Sequence, residues 1–215
     1  MTTITNYLLV GNSRLHWAEK GDNKIRFSHS SVSQGLPKYK NTNNLIWASV
    51  GNHSKMFLNK SNEIKTTDLT MQKIPKHFGV DRALACFAAF KMIKNQCKKN
   101  IVIADLGTTL SITKISSNGD VIGGQLVPGF LTQLKSLEQN TKHLQLPPTF
   151  DIPKVNFLLS TEKAMLRGVY NSLLGAINLS FNENKDLLII CGGDAELIGK
   201  ELQNTYNKNI KIKSN

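Results

Sequence analysis

Hydrophobic and polar positions alternate along the chain in short bursts, and the bursts repeat. "YLLV" at residues 7–10 is a short apolar run, and Gly11-Asn12 after it is a two-residue turn signal. "SRLHWAEK" then alternates so that Leu15 and Trp17 share one face of a strand. Gly21-Asp22 marks a second turn and "KIRFS" a third strand, which together predict a three-strand meander.

The same order returns from residue 101. "IVIA" reads as a buried strand, Leu106-Gly107 as a turn, "TTLSITKIS" as a strand rich in β-branched residues, Asn118-Gly119 as a hairpin signal and "DVIGGQLV" as a third strand. The segments after the two meanders also correspond. After the first come the strand "LIWASV" and a helix from about Arg82 to Gln96, apolar on nearly every face at its start, which predicts deep burial. After the second come a helix near 129–140 and a longer one in "STEKAMLRGVYNSLLGAINLSF". In the longer helix Met165, Val169, Leu173, Ala176 and Ile177 form one stripe. A buried strand "DLLIICGGD" then runs into a glycine turn and a last helix. The pattern predicts two α/β halves divided near Lys98 to Asn100, each with a mixed sheet opened by a meander and flanked by helices.

Composition narrows the class. The chain has 215 residues, 40% hydrophobic and 20% charged, ordinary values for a globular protein. No apolar run approaches the roughly 20 residues that span a bilayer, and the N-terminus has no signal-peptide pattern. Cys86, Cys97 and Cys191 are odd in number and form no CxxC, so they read as reduced thiols in a cytoplasmic protein. The formal net charge of +12 favours anionic partners, but the lysines are scattered, so nucleic acid is not expected on this ground. His16, His29, His53, His77 and His143 show no metal-ligand spacing, and neither GxSxG nor GxxxxGK[ST] occurs.

The repeated hairpins carry the candidate chemistry. Backbone N–H groups of a tight glycine turn bind phosphate oxygens. Hydroxyls of Ser13, Thr108 and Thr109 add donors, and Asp105 at a strand end suits a cation that bridges phosphates. In "FGVDRALA", Asp81 stands where a loop meets a helix, a common place for an N-cap and also for a proton acceptor. Arg82 beside it suits a substrate oxyanion. Ser160 or Thr161 opens the helix of "STEKAM", where capping is the ordinary role and an oxygen-rich ligand the alternative.

Taken in order, "LLVGNSRLHWA", "WASVGN", "GVDRALA", "IADLGTTLSI", "GGQLVPGF", "STEKAMLRG" and "IICGGDAEL" resemble the type III pantothenate kinases, from about Leu8 to Leu197. The resemblance implies two tandem actin-like (ribonuclease H-like) domains, here 1–98 and 99–215. It implies ATP-dependent phosphorylation of pantothenate to 4'-phosphopantothenate, the first step toward coenzyme A. It also implies ATP with Mg2+, a monovalent cation (K+ or NH4+), and a homodimer. By position, Asp81 matches the catalytic base. Gly79, Val80 and Arg82 match the substrate loop and Thr161 a pantothenate contact. Gly11, Asn12 and Ser13 match the first phosphate loop, Gly107, Thr108 and Thr109 the second, and Asp105 the cation ligand. Three positions depart from the family pattern. Leu9 stands where the first loop has Asp, Gln72 where many members have Tyr, and Thr113 where a second acid is usual. Two other readings are a weakened nucleotide-binding relative with a regulatory or nucleic-acid-associated role, favoured by Leu9 and the charge, and a kinase for another small polyol or hydroxy acid.

Overall fold

The computed structural model describes residues 5–21, 24–36, 44–50, 58–71, 73–93, 98–206 and 210–213. Gln72, His53 and Cys97 lie outside the described residues. The chain divides into two compact units, residues 1–88 and 89–215.

The first unit is built on a sheet of β1 (Thr5–Val10), β2 (Arg14–Lys20), β3 (Ile25–Ser31) and β4 (Leu45–Ser49), in the order β3-β2-β1-β4. β1 pairs antiparallel with β2 and parallel with β4. Period-two alternation puts Leu8, Val10, Leu15, Trp17, Leu45 and Trp47 into one buried cluster. Each such side chain contributes about 1.5–3 kcal/mol on burial. The Trp47 indole N–H donates to the Asn59 carbonyl at 2.8 Å, which ties the loop beyond β4 to the sheet. The turn between β1 and β2 has Asn12 and Ser13 at its tip, one residue later than the sequence suggested, because the Gly11 N–H donates to the Arg14 carbonyl at 2.9 Å.

The second unit repeats the plan with β5 (Asn100–Leu106), β6 (Thr109–Ile115), β7 (Val121–Pro128), β8 (Asp186–Cys191) and β9 (Ile210–Lys213), in the order β7-β6-β5-β8-β9. β5 pairs antiparallel with β6 and parallel with β8, as β1 does with β2 and β4. The helices are α1 (Val80–Ile93), α2 (Phe130–Asn140), α3 (Thr161–Ser180) and α4 (Ala195–Tyr206). Met165, Val169, Leu173 and Ile177 of α3 are buried as the stripe predicted, joined by Leu166 and Tyr170; Ala176 is only partly buried.

Several local expectations change. α1 buries only Val80, Ala83, Cys86, Ala89 and Ile93, a narrow stripe, so its apolar start reflects small residues and not burial on every face. The turn after β5 is at Gly107-Thr108, and Asp105 lies inside the strand. Asn118-Gly119 does not form the two-residue turn its sequence suggests. Gly119 alone takes a positive φ of 89°, after a turn closed by its N–H on the Ser116 carbonyl, because that carbonyl and the Ser116 hydroxyl supply the acceptors. β9 had no turn-bounded signal of its own; it exists because it adds in parallel to β8.

Lys114 of β6 and Asp186 of β8 form a pair at 2.8 Å beneath the second sheet. Asp186 is fully buried and also accepts the Asn182 N–H at 3.0 Å. No described helix is long and apolar enough to cross a membrane.

Candidate active site

The residues singled out by sequence fall into four local groups. In the second unit, Asp105, Gly107, Thr108 and Thr109 sit at the β5–β6 turn, with the two threonines exposed and Asp105 half-buried. Two glycines hold this turn from either side. The Gly129 N–H donates to the Thr108 carbonyl at 2.9 Å, and the Thr132 hydroxyl donates to the same oxygen at 2.7 Å. A Cβ on Gly129 would overlap the Gly107 carbonyl and stand 2.9 Å from the Thr108 oxygen. On the other side the Asp194 N–H donates to the Leu106 carbonyl at 3.1 Å. Gly192, with φ +95°, lies so close that a Cβ would overlap the Leu106 oxygen and the Asp105 carboxylate. The carboxylate therefore occupies space that only a glycine leaves. The sequence marks "GGQLVPGF" and "IICGGDAEL" as glycine turns that suit a ligand, but not that Gly129 and Gly192 pack against the Asp105 turn. Their signal is a glycine just after a strand end in "VPGF" and "ICGG", a position also filled in ordinary turns.

In the first unit, Gly11, Asn12 and Ser13 form the corresponding turn. The pairing registers align the two hairpins: Leu9 opposes His16 where Asp105 opposes Ser111. Gly11 is required by close approach, since a Cβ would stand 3.0 Å from the Arg14 carbonyl.

Gly79 to Arg82 open α1. Asp81 is not the helix cap. The helix starts at Val80, and the Ala83 N–H donates to the Gly79 carbonyl at 3.0 Å. Asp81 lies in the first turn, where the helix dipole favours a negative charge. Its Oδ1 accepts the Arg82 N–H at 2.7 Å and lies over Gly79, where a Cβ would stand 2.7 Å away. The Arg82 guanidinium stacks on the Phe78 ring at 4.2 Å, and the Phe78 carbonyl accepts the Thr66 hydroxyl at 2.8 Å. Gly79 also faces Val50, whose N–H donates to the Val10 carbonyl next to Gly11. The fold thus links the substrate-loop candidates to the first hairpin through Val50.

Ser160 and Thr161 divide their duties. Ser160 caps α3, its hydroxyl accepting the Lys163 N–H, while Thr161 is exposed at the first helical position. No described contact joins Thr161 to the Asp105 turn.

Asp105 brings a carboxylate to the end of β5, beside a turn with two exposed threonine hydroxyls. That oxygen set suits a monovalent cation, or a divalent ion shared with phosphate oxygens. No three His, Cys, Asp or Glu residues cluster for a protein-only metal cage among the described residues.

The match to known proteins is extensive. A family model described as type III pantothenate kinase covers residues 21–183. A type III pantothenate kinase of Flavobacterium johnsoniae is 30% identical over 99% of this chain and 91% of its own length. One of Synechocystis is 27% identical over 89% of this chain and 78% of its own. Among solved structures, a Campylobacter jejuni protein described as a Baf family transcriptional activator superposes with a TM-score of 0.69 at 21% identity, over 97% of this chain and 90% of that one. An archaeal actin homologue in complex with ADP gives 0.50 at 15% identity, over 98% and 94%. Two mixed sheets with their helices thus form an actin-like α/β fold. By sequence, the chain belongs to the type III pantothenate kinases, a family of phosphotransferase enzymes.

Proposed function

We propose that the protein transfers the terminal phosphate of ATP to the primary hydroxyl of pantothenate, giving 4'-phosphopantothenate for coenzyme A synthesis. The observation that carries this reading is the Asp105–Thr109 turn. Its backbone is held by hydrogen bonds from Gly129, Thr132 and Asp194, and the Asp105 carboxylate packs beside it against Gly192, an arrangement that supports cation and phosphate binding there.

Each residue then has a task. Asp81, in the first turn of α1, accepts the proton of the pantothenate hydroxyl as the oxygen attacks phosphorus. Arg82, oriented by Phe78, holds a substrate oxygen through a charge-assisted hydrogen bond. Val80 and Gly79 give the loop its close approach, and Thr161 contributes a hydroxyl to pantothenate. Gly11 to Ser13 and Gly107 to Thr109 shape the two phosphate turns: the Gly11 and Gly107 N–H groups close them on the Arg14 and Thr109 carbonyls, and the turn tips and the Ser13, Thr108 and Thr109 hydroxyls meet phosphate oxygens. Asp105 would hold a monovalent cation, K+ or NH4+, near those oxygens. Bound Mg2+, carried with ATP, supplies neutralisation of phosphate charge.

The domain limits 1–98 and 99–215 and a cytoplasmic location belong to the same proposal. So does a homodimer, which Phe157 and Leu159 support: both are almost fully exposed just ahead of Thr161. The test is a coupled assay of ADP release with and without pantothenate. Pantothenate-dependent release supports the kinase. Nucleotide binding without turnover favours the regulatory reading, which rests on Leu9.

A further inference from the structure

The first hairpin has lost its acid but not its charge. On the face of the first sheet that carries Leu9, the registers place Arg14 and His16 of β2 and His29 of β3, with His16 opposite both Leu9 and His29. The His16 and His29 rings meet edge to face, 4.9 Å between centroids. His16 Nε2 reaches to within 3.7 Å of where a Cβ on Gly11 would stand, so the imidazole lies against the phosphate turn itself. His16 is half-buried, whereas His29 and Arg14 are exposed.

The strand residues that share the His16 face are neutral or cationic. From β1 His16 faces Leu9, with Tyr7 further along; from β3, His29; along its own strand, Arg14 and then Ala18 and Lys20; beyond β1, Ala48 of β4. No carboxylate stands on this face among the described residues of the four strands; Glu19 points to the opposite side. Three groups able to bear positive charge therefore gather beside the turn, with no acid on the four strands to balance them; off the strands, the Asp81 carboxylate of α1 lies over Gly79, on the far side of Val50. Such a cluster is disfavoured by its own repulsion and is relieved by an anion.

We propose that Arg14, His16 and His29 form a phosphate contact of the first hairpin that works without a metal ion, binding the oxyanion directly and taking up a proton as it binds. In the sister hairpin a carboxylate reaches phosphate through a cation; here imidazole and guanidinium N–H groups donate to the oxygen themselves. Leu9 is then not a broken metal ligand. A carboxylate at position 9 would pair with His16 across the strands and remove the donor from the anion. Burial, then the His29 and Arg14 charges, hold the His16 pKa below its usual value, so the free His16 ring is mostly neutral near pH 7 and its protonation is drawn in by the ligand. That the bound anion is a nucleotide phosphate rests on the kinase reading; the anion site itself does not.

Inorganic sulfate is the probe, because it stays dianionic across the histidine range and any pH dependence belongs to the protein. Sulfate affinity of the full chain is measured by thermal shift and by histidine ring proton resonances, without nucleotide or Mg2+, at about pH 5.5 and about pH 8. Binding at least about fivefold tighter at the lower pH is expected, since one added charge close to the anion is worth that much near a surface. In His16→Gln/His29→Gln the pH effect should vanish, and Arg14→Gln should weaken binding at both pH values. Sulfate should also raise the apparent pKa of the His16 ring resonance in the wild type, a readout that needs no variant. A wild type whose sulfate affinity ignores pH, or whose His16 ring titration ignores sulfate, overturns the proposal, as does a double variant that keeps the effect. Stabilisation by Mg2+ or Zn2+ with no response to sulfate overturns it too. Absence of pantothenate-dependent ADP release, with the sulfate response intact, counts against the kinase reading and leaves the anion site standing.

Discussion

Gly192→Ala is the substitution whose outcome the site geometry fixes most tightly. Gly192 has φ +95°, a conformation in which an L side chain costs about 1–2 kcal/mol. Its new methyl would overlap the Leu106 oxygen and the Asp105 carboxylate and stand 2.7 Å from the Leu106 nitrogen. Two of those three atoms are backbone of a central strand, so the strand cannot simply swing aside. Overpacking of this kind costs about 1–3 kcal/mol more. The sum, about 2–5 kcal/mol, corresponds to a melting point lower by roughly 4–20 °C for a chain of this size. Gly129→Ala escapes the backbone strain, with φ at −70°, but its methyl overlaps the Gly107 carbonyl more deeply than any atom is overlapped at Gly192, so its loss should be of comparable size. Gly107→Ala meets nothing within 4 Å and has no positive φ, so its stability should change by no more than about 0.5 kcal/mol. Differential scanning calorimetry of the three variants reads the order directly, and nucleotide affinity should fall most in Gly192→Ala because Asp105 is displaced. A Gly192→Ala protein that melts within about 1 °C of the wild type refutes the claim that the carboxylate fills the space a side chain would need.

Asp81→Asn should lower kcat by about 10²–10⁴ while the melting point hardly moves, because Asp81 is not the helix cap; near-normal turnover in steady-state assays would exclude it as the base. Phe78→Ala removes the ring under Arg82, worth about 0.5–2 kcal/mol, and should raise KM for pantothenate several-fold with a smaller change in kcat. Asp186→Ala leaves Lys114 and the Asn182 N–H without their buried acceptor; because Lys114 is 33% exposed and reaches water, the expected loss in urea melts is about 2–3 kcal/mol, below that of a fully buried pair. His16 has a folded pKa below its usual 6.5, so the unfolded chain takes the proton first. Its contribution is complete above about pH 6.5 and is lost as pH falls through the folded value, and His16→Gln should flatten the acid side of the stability profile.

The two meanders are readable in sequence because alternation and turn residues are local, and both hairpins report the same plan. Asp105, Asp81 and Arg82 are legible for the same reason: a charged residue at the edge of an apolar run is conspicuous. The clamp by Gly129 and Gly192 is not. A glycine in "VPGF" or "ICGG" states only that no side chain is present, and what would occupy the space comes from residues more than 20 positions away. His16 escapes notice because its partner His29 lies on another strand, so no sequence spacing announces the pair. β9 is hidden because "IKIK" is a strand only once β8 offers an edge. The Ser160 and Thr161 alternatives separate only through cap geometry, which assigns the capping bond to Ser160.

The parallel pairing of β5 with β8 has a consequence for how the chain acquires its shape. Asn100 meets Asp186 across 86 positions, with both helices α2 and α3 between them. Closing so long a loop is slow, and non-local parallel pairing is the slowest kind. β1 meets β4 over a much shorter stretch, so the first sheet can be complete while the ribosome is still making the second. Until residue 191 has emerged, β5 has one of its edges bare and the apolar row Ile101, Val102, Ile103 and Ala104 exposed. During synthesis the second half of the protein is therefore the part that depends on protection from aggregation, and a chain stopped before β8 should retain a folded first sheet with a sticky, unfinished one behind it.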